Sequence, residues 1–272
     1  MKTRFLSSLV LIPFIITACA NDSKKDDAFY VSLKNSSVKL SLFERMDFSE
    51  NSTYLSVRDG YDFVEYSYGF FKDKLDVLDQ DNNTVPFNLG EIEQEYVDKD
   101  GYKRARKCLE FFKYTFYVKN IGEKTAAYNL SINLDKSMMS DDGTDRGLDE
   151  TLRVMVFENQ PDRSDHECKV YAKRAVEYNY DINGDKTTRE FISVRPLDGS
   201  NREDDEHPLA ETFVDESTVV RYDVNNFAKN DMMRYTIVYW LEGEDPQSNS
   251  SIEYPEGSSL KLNVEIYARE QE

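Results

Sequence analysis

Leu260-Lys261-Leu262-Asn263-Val264-Glu265-Ile266 alternates apolar and polar residues without a break. Side chains of an extended chain point to opposite faces in turn, so this period of two marks a strand with one face buried. Tyr128-Asn129-Leu130-Ser131-Ile132-Asn133-Leu134 repeats the pattern, and Met233, Tyr235, Ile237, Tyr239 and Leu241 form a third series. Shorter strands are expected at Ser37–Phe43, Thr53–Val57, Leu152–Phe157 and Val219–Val224. No stretch keeps a helical period beyond about two turns. Glu91–Tyr96 is the best candidate for a short helix.

Turn residues sit between these runs. Asp98-Lys99-Asp100-Gly101 and Asp181-Ile182-Asn183-Gly184-Asp185 each separate two β-rich stretches, as in a hairpin. Tyr61–Phe71 and Tyr102–Lys119 are aromatic and β-branched. The second exceeds ordinary strand length, so a break is expected near Cys108–Phe112. Many short strands with no βα alternation predict an all-β, antiparallel two-sheet sandwich, jelly-roll-like or immunoglobulin-like, over residues 29–272. Ser140–Gly147 and Asn201–His207 read as long acidic loops.

The N-terminus carries an address. Lys2 and Arg4 precede an apolar run from Phe5 to Ala18, and Ile16-Thr17-Ala18-Cys19 closes it. A basic start, a short apolar run and a small residue before the cut make a secretory signal, and the run is well below the ~20 residues of a membrane span. With cysteine after the small residue, residues 1–18 resemble a bacterial lipoprotein signal, which implies acylation of Cys19 and an extracytoplasmic protein held to the membrane by lipid. Residues 19–28 are polar and charged from Ala20 on, the composition of a flexible tether. The whole chain has a formal charge of −18, and the first 18 residues hold two of its basic residues and no acidic one. So acidic a body repels nucleic-acid phosphates and anionic lipid, which leaves the acyl chain to hold it at a membrane.

With Cys19 assigned to lipid, Cys108 and Cys168 remain. In an oxidising compartment they are either a disulfide or two thiols, since sequence does not give the Cα separation that decides it.

Catalytic motifs are sparse. The two histidines, His166 and His207, lie far apart, without the i, i+4 spacing of a helical zinc site. His166-Glu167-Cys168 offers nitrogen, carboxylate and sulfur, but in a strand Glu167 points away from its neighbours. No Gly-x-Ser-x-Gly elbow and no phosphate-cradling glycine loop occurs. Asp181, Asn183 and Asp185 have the D-x-N-x-D spacing of a calcium loop, yet Lys186 and Ile192 stand where an EF-hand needs Gly and Glu. A type I′ turn at Asn183-Gly184 between solvated aspartates fits those residues better, so calcium is a secondary expectation. The chain has 18 tyrosines and one tryptophan. Most tyrosines lie in strand patterns, where cross-strand packing is the expected role and a sugar-stacking face the alternative.

Three segments taken together carry a wider resemblance. Phe112–Gly122 leads into Tyr128–Ile132, Leu148–Glu158 is followed by Val170–Lys173, and Arg234–Pro246 includes Trp240-Leu241-Glu242-Gly243-Glu244-Asp245-Pro246. In that order, over about residues 108–268, they resemble bacterial surface proteins of the TasA/camelysin type. The resemblance implies a jelly-roll-like sandwich and, for some members, assembly into biofilm matrix fibres. Cys19 departs from that family, whose signals usually lack an acylated cysteine. Function is therefore expected to be that of a lipid-anchored, non-catalytic surface protein in adhesion, matrix or surface assembly, with other surface proteins or its own copies as partners and no cofactor. The alternatives are a camelysin-like metallopeptidase or other secreted hydrolase, and a carbohydrate- or small-ligand-binding lipoprotein.

Overall fold

The structure is a computed structural model. It describes residues 28–35, 37–57, 62–63, 65–66, 68, 91–97, 100–137, 148–159, 168–173, 176–180, 186–191, 210–243 and 259–271. In chain order the strands are β1 (Phe29–Asn35), β2 (Leu40–Phe43), β3 (Tyr54–Val57), β4 (Asp62–Phe63), β5 (Glu65–Tyr66), β6 (Glu91–Val97), β7 (Lys103–Leu109), β8 (Phe112–Asn120) and β9 (Ala126–Ser137). One helical turn, α1 (Leu148–Thr151), precedes β10 (Leu152–Asn159). There follow β11 (Cys168–Ala172), β12 (Val176–Tyr180), β13 (Lys186–Phe191), β14 (Glu211–Thr212), β15 (Thr218–Phe227), β16 (Met232–Glu242) and β17 (Ser259–Glu270).

Two sheets pack face to face. The first has the order β15-β9-β17-β1-β3, and the second β14-β11-β10-β16-β8-β2 with β5 alongside β16. The expected alternation is plain in the first sheet, where Leu130, Ile132, Leu134, Leu262, Val264 and Ile266 are buried. They meet Phe112, Tyr114, Phe116, Val154, Val156, Ile237 and Tyr239 of the second sheet in one core. Aromatic rings knit that core, with Phe29 4.9 Å from Tyr114 and Phe112 4.7 Å from Tyr239 between centroids.

Two expectations need correction. The sheets are mixed rather than purely antiparallel: β1 runs parallel to β17, with Phe29 beside Leu262 and Asn35 beside Ala268. Sequence alternation gives the face of a strand but not its direction, so a first strand beside the last can run either way. Glu91–Tyr96 forms no helix; it lies in β6, antiparallel to β7. There Glu93 sits opposite Lys107, a cross-strand register of opposite charges that a lone helical turn lacks. The break expected near Cys108–Phe112 falls at Glu110–Phe111, between β7 in a three-stranded sheet and β8 in the sandwich.

The second sheet is buried on both faces. Val154 and Val156 join the main core, whereas Met155 and Phe157 join a second cluster with Phe111, Val170, Ala172, Ala210, Val238 and Trp240. Hence β10 reads Val-Met-Val-Phe without polar interruption, as doubly covered strands do. Within this second cluster the Trp240 indole donates to Glu242 at 3.1 Å, and so does the Tyr68 backbone N–H at 2.9 Å.

Candidate functional site

Glu158 follows Val156 on the core-facing side of β10 and stands opposite Tyr235 of β16. The inward period of two therefore carries a carboxyl to the margin of the core. Lys169, opposite Val156 on β11, comes alongside, and Tyr222 reaches across from β15 of the other sheet. Val156, Glu158, Cys168, Lys169 and Tyr222 line a cleft of about 310 Å³ between the sheets.

Tyr222 belongs to a cluster of four tyrosines behind the cleft. The hydroxyls of Tyr171 and Tyr222 are 3.1 Å apart, and those of Tyr128 and Tyr235 are 2.9 Å apart. The Tyr222 and Tyr235 rings lie 6.2 Å apart, so the pairs adjoin. Burial raises all four phenol pKa values, and the Glu158 charge adds to each shift. They stay protonated at neutral pH. Burial also raises the Glu158 carboxyl above its ordinary value, partly offset by Lys169. Lys169 itself is exposed, with Nζ 3.6 Å from a Glu211 oxygen. The cleft thus presents a half-buried acceptor in Glu158, the neutral phenol of Tyr222 and an apolar surface at Val156.

A second feature closes one end of the sandwich. Asn120, fully buried, donates through Nδ2 to the carbonyls of Lys124 at 2.9 Å and Phe227 at 2.8 Å. Its Oδ1 accepts from the Gly122 N–H at 2.9 Å. Its backbone bonds to Asp231 and Asn230, so one side chain ties the loop of residues 121–125 to that of residues 228–231. The tip carries exposed Ile121 and the ion pairs Lys229–Glu123 at 2.7 Å and Lys124–Glu270 at 2.8 Å.

At the other end, Lys173 bridges Asp149 of α1 at 2.7 Å and Glu216 at 2.9 Å. A larger hollow of about 430 Å³ lies along the polar loop after β2, but Asp47 there already accepts from Ser49 N and Oγ, and Glu44 takes the Tyr114 hydroxyl.

Of the residues singled out in the sequence, Cys19, His166, Glu167, His207, Asp181, Asn183 and Asp185 lie outside the described residues. Strands β12 and β13, on either side of residues 181–185 in the sequence, pair antiparallel. Cys108 pairs through its backbone with Ile92 in the three-stranded sheet, and Cys168 is half-buried at the start of β11, lining the cleft. Among the described residues no group of three or more His, Cys, Asp or Glu is placed to hold a metal ion, and no helix is long and apolar enough to cross a membrane. Glu158 has a readable signal in the sequence, a charged residue in the inward phase of β10. No protein-family model matches the chain, and no curated protein is similar to it.

Proposed function

We propose that this chain is a lipid-anchored, non-catalytic bacterial surface protein whose sandwich makes contacts in adhesion, matrix or surface assembly. The observation that carries the reading is the place of β1. It begins at Phe29, directly after the tether of residues 19–28, and is held between β17 and β3. Tension from a lipid on Cys19 enters at Phe29, while the Asn120 tip, level with Asn35 and Ala126, faces away. Load between anchor and tip runs along the strands, so the seven β1–β17 residue pairs resist it together in shear. Ten tether residues reach at most about 35 Å, enough to lift the body off a bilayer while keeping it captive. The resemblance of residues 108–268 to TasA/camelysin-type proteins supplies the matrix part of this reading.

The test of the non-catalytic assignment is metal content and peptide hydrolysis of the purified full chain, with and without chelator. We expect no stoichiometric metal and no chelator-sensitive hydrolysis. A retained metal whose removal abolishes hydrolysis would overturn the assignment in favour of a metallopeptidase.

A further inference from the structure

We propose that the cleft lined by Val156, Glu158, Cys168, Lys169 and Tyr222 binds a primary alkylammonium group, with Glu158 as its counter-ion and Tyr222, held from behind by the Tyr171 hydroxyl, as its phenolic wall. The cleft, about 310 Å³, is at the small end of the range for ligand pockets and suits a compact group. Its chemistry selects a cation. The Glu158 carboxyl is half-buried and makes no hydrogen bond among the described residues, although Tyr235 stands directly opposite. A desolvated carboxylate without a donor is costly, and an ammonium supplies both charge and donors.

The neighbouring hydroxyls are already turned to one another, Tyr171 to Tyr222 and Tyr128 to Tyr235, and they keep lone pairs that accept further bonds. Lys169 sits at the rim, where its charge offsets part of the Glu158 shift while its ammonium lies 3.6 Å from Glu211, so the Glu158 carboxyl keeps room for a donor. Val156 and the Tyr222 ring offer apolar surface to the alkyl stem, and a chain of net charge −18 raises the local concentration of cations. Two aromatic rings of the first sheet are already covered. The Tyr30 ring stacks on Tyr54 and has Lys261 over it, and Lys34 covers Tyr267, so a protein lysine already occupies each.

The ammonium can belong to a free amine or to a lysine side chain, and the test separates the two. The full chain is titrated with n-butylammonium, with neutral 1-butanol and with an end-capped Gly-Lys-Gly peptide, following the Val156 methyl and Tyr222 ring resonances. We expect saturable shifts with butylammonium or with the lysine peptide, weaker ones with butanol, and a loss of about tenfold or more in affinity for Glu158→Gln. Saturation by butylammonium without a response to the peptide identifies a free-amine site; saturation by the peptide, with or without butylammonium, identifies a lysine side chain. Glu265→Gln, on the outer face of the first sheet, makes the same change in net charge and is expected to leave affinity unchanged. Equal shifts with butylammonium and butanol, equal losses in the two variants, or no shift from either cation at millimolar concentration would overturn the proposal.

Discussion

The hydroxyls of Tyr128 and Tyr235 meet 2.9 Å apart between the sheets, joining β9 of one to β16 of the other. Both residues are buried, so neither hydroxyl has water to fall back on. Removing one leaves the other without this partner, which costs about 1–3 kcal/mol. Tyr128→Phe and Tyr235→Phe are each expected to lower stability by that amount in urea unfolding. The double variant should lose less than the sum, because it leaves no orphan.

Lys173 and Asp149 form a buried ion pair, with side chains 8% and 1% exposed. Burial alone would lower the Lys173 pKa, but the bonds to Asp149 and Glu216 outweigh it and hold the amine well above its ordinary value. Lys173→Met removes the counter-ion of a buried carboxylate and should cost about 3–5 kcal/mol. Asp149→Leu combined with Lys173→Met should cost less than Lys173→Met alone. Strict additivity in thermal or denaturant unfolding would show that the two do not act as a pair.

Glu158 gives stability a pH dependence with a definite sign. Its folded pKa is raised by burial, so the folded state binds the proton more tightly than the unfolded chain does. The benefit is complete below the unfolded value near 4.5 and is lost as pH rises through the higher folded value. Glu158→Gln is therefore expected to raise Tm at pH 7, with the gain closing at acid pH. Thermal scans across that range check it; a gain that persists undiminished at low pH would refute the assignment.

Asn120 shows which parts of the architecture sequence reveals. Its neighbours Tyr114, Phe116 and Val118 announce a strand through their period, and the alternations at Leu130–Leu134 and Leu262–Ile266 predict the sandwich correctly. Nothing local marks Asn120 as the bond between two loops more than a hundred residues apart in sequence. Nor does Glu91–Tyr96 reveal a strand until its partner Lys103–Leu109 supplies opposing charges. Glu158 is intermediate: its phase is legible, while the tyrosines around it come from four other strands, two of them in the first sheet. Contacts set by topology are what the linear pattern cannot carry.

The tip offers its own test. Asn120→Ala deletes bonds to Lys124, Phe227 and Gly122 and is expected to cost about 2–4 kcal/mol. A Cβ on Gly122 would lie 3.2 Å from Lys39 Cβ and 3.3 Å from Asn120 Oδ1, so Gly122→Ala should cost roughly 1 kcal/mol by crowding. Hydrogen exchange of the loops at residues 121–125 and 228–231 should accelerate in both variants. Unchanged protection would show that the side chain of Asn120 does not organise this end.

Self-assembly, where it occurs, has to overcome charge. Copies of a chain at −18 repel one another, and physiological salt screens exposed charges beyond about 8 Å. Light scattering and imaging of the full chain across salt and calcium should therefore show association promoted by ionic strength or divalent cations. Ordered filaments would mark a matrix subunit and a persistent monomer an adhesin or binding module; assembly indifferent to salt would contradict the electrostatic argument.

Anchorage at Cys19 is the claim on which the surface role depends, and fatty-acid labelling in a bacterial host tests it most directly. The wild-type chain should incorporate labelled palmitate, fractionate with membranes and expose its body to added protease, whereas Cys19→Ala should lose label and membrane association together. Wild-type protein without label, or a Cys19→Ala chain that labels and fractionates as wild type does, would contradict the account.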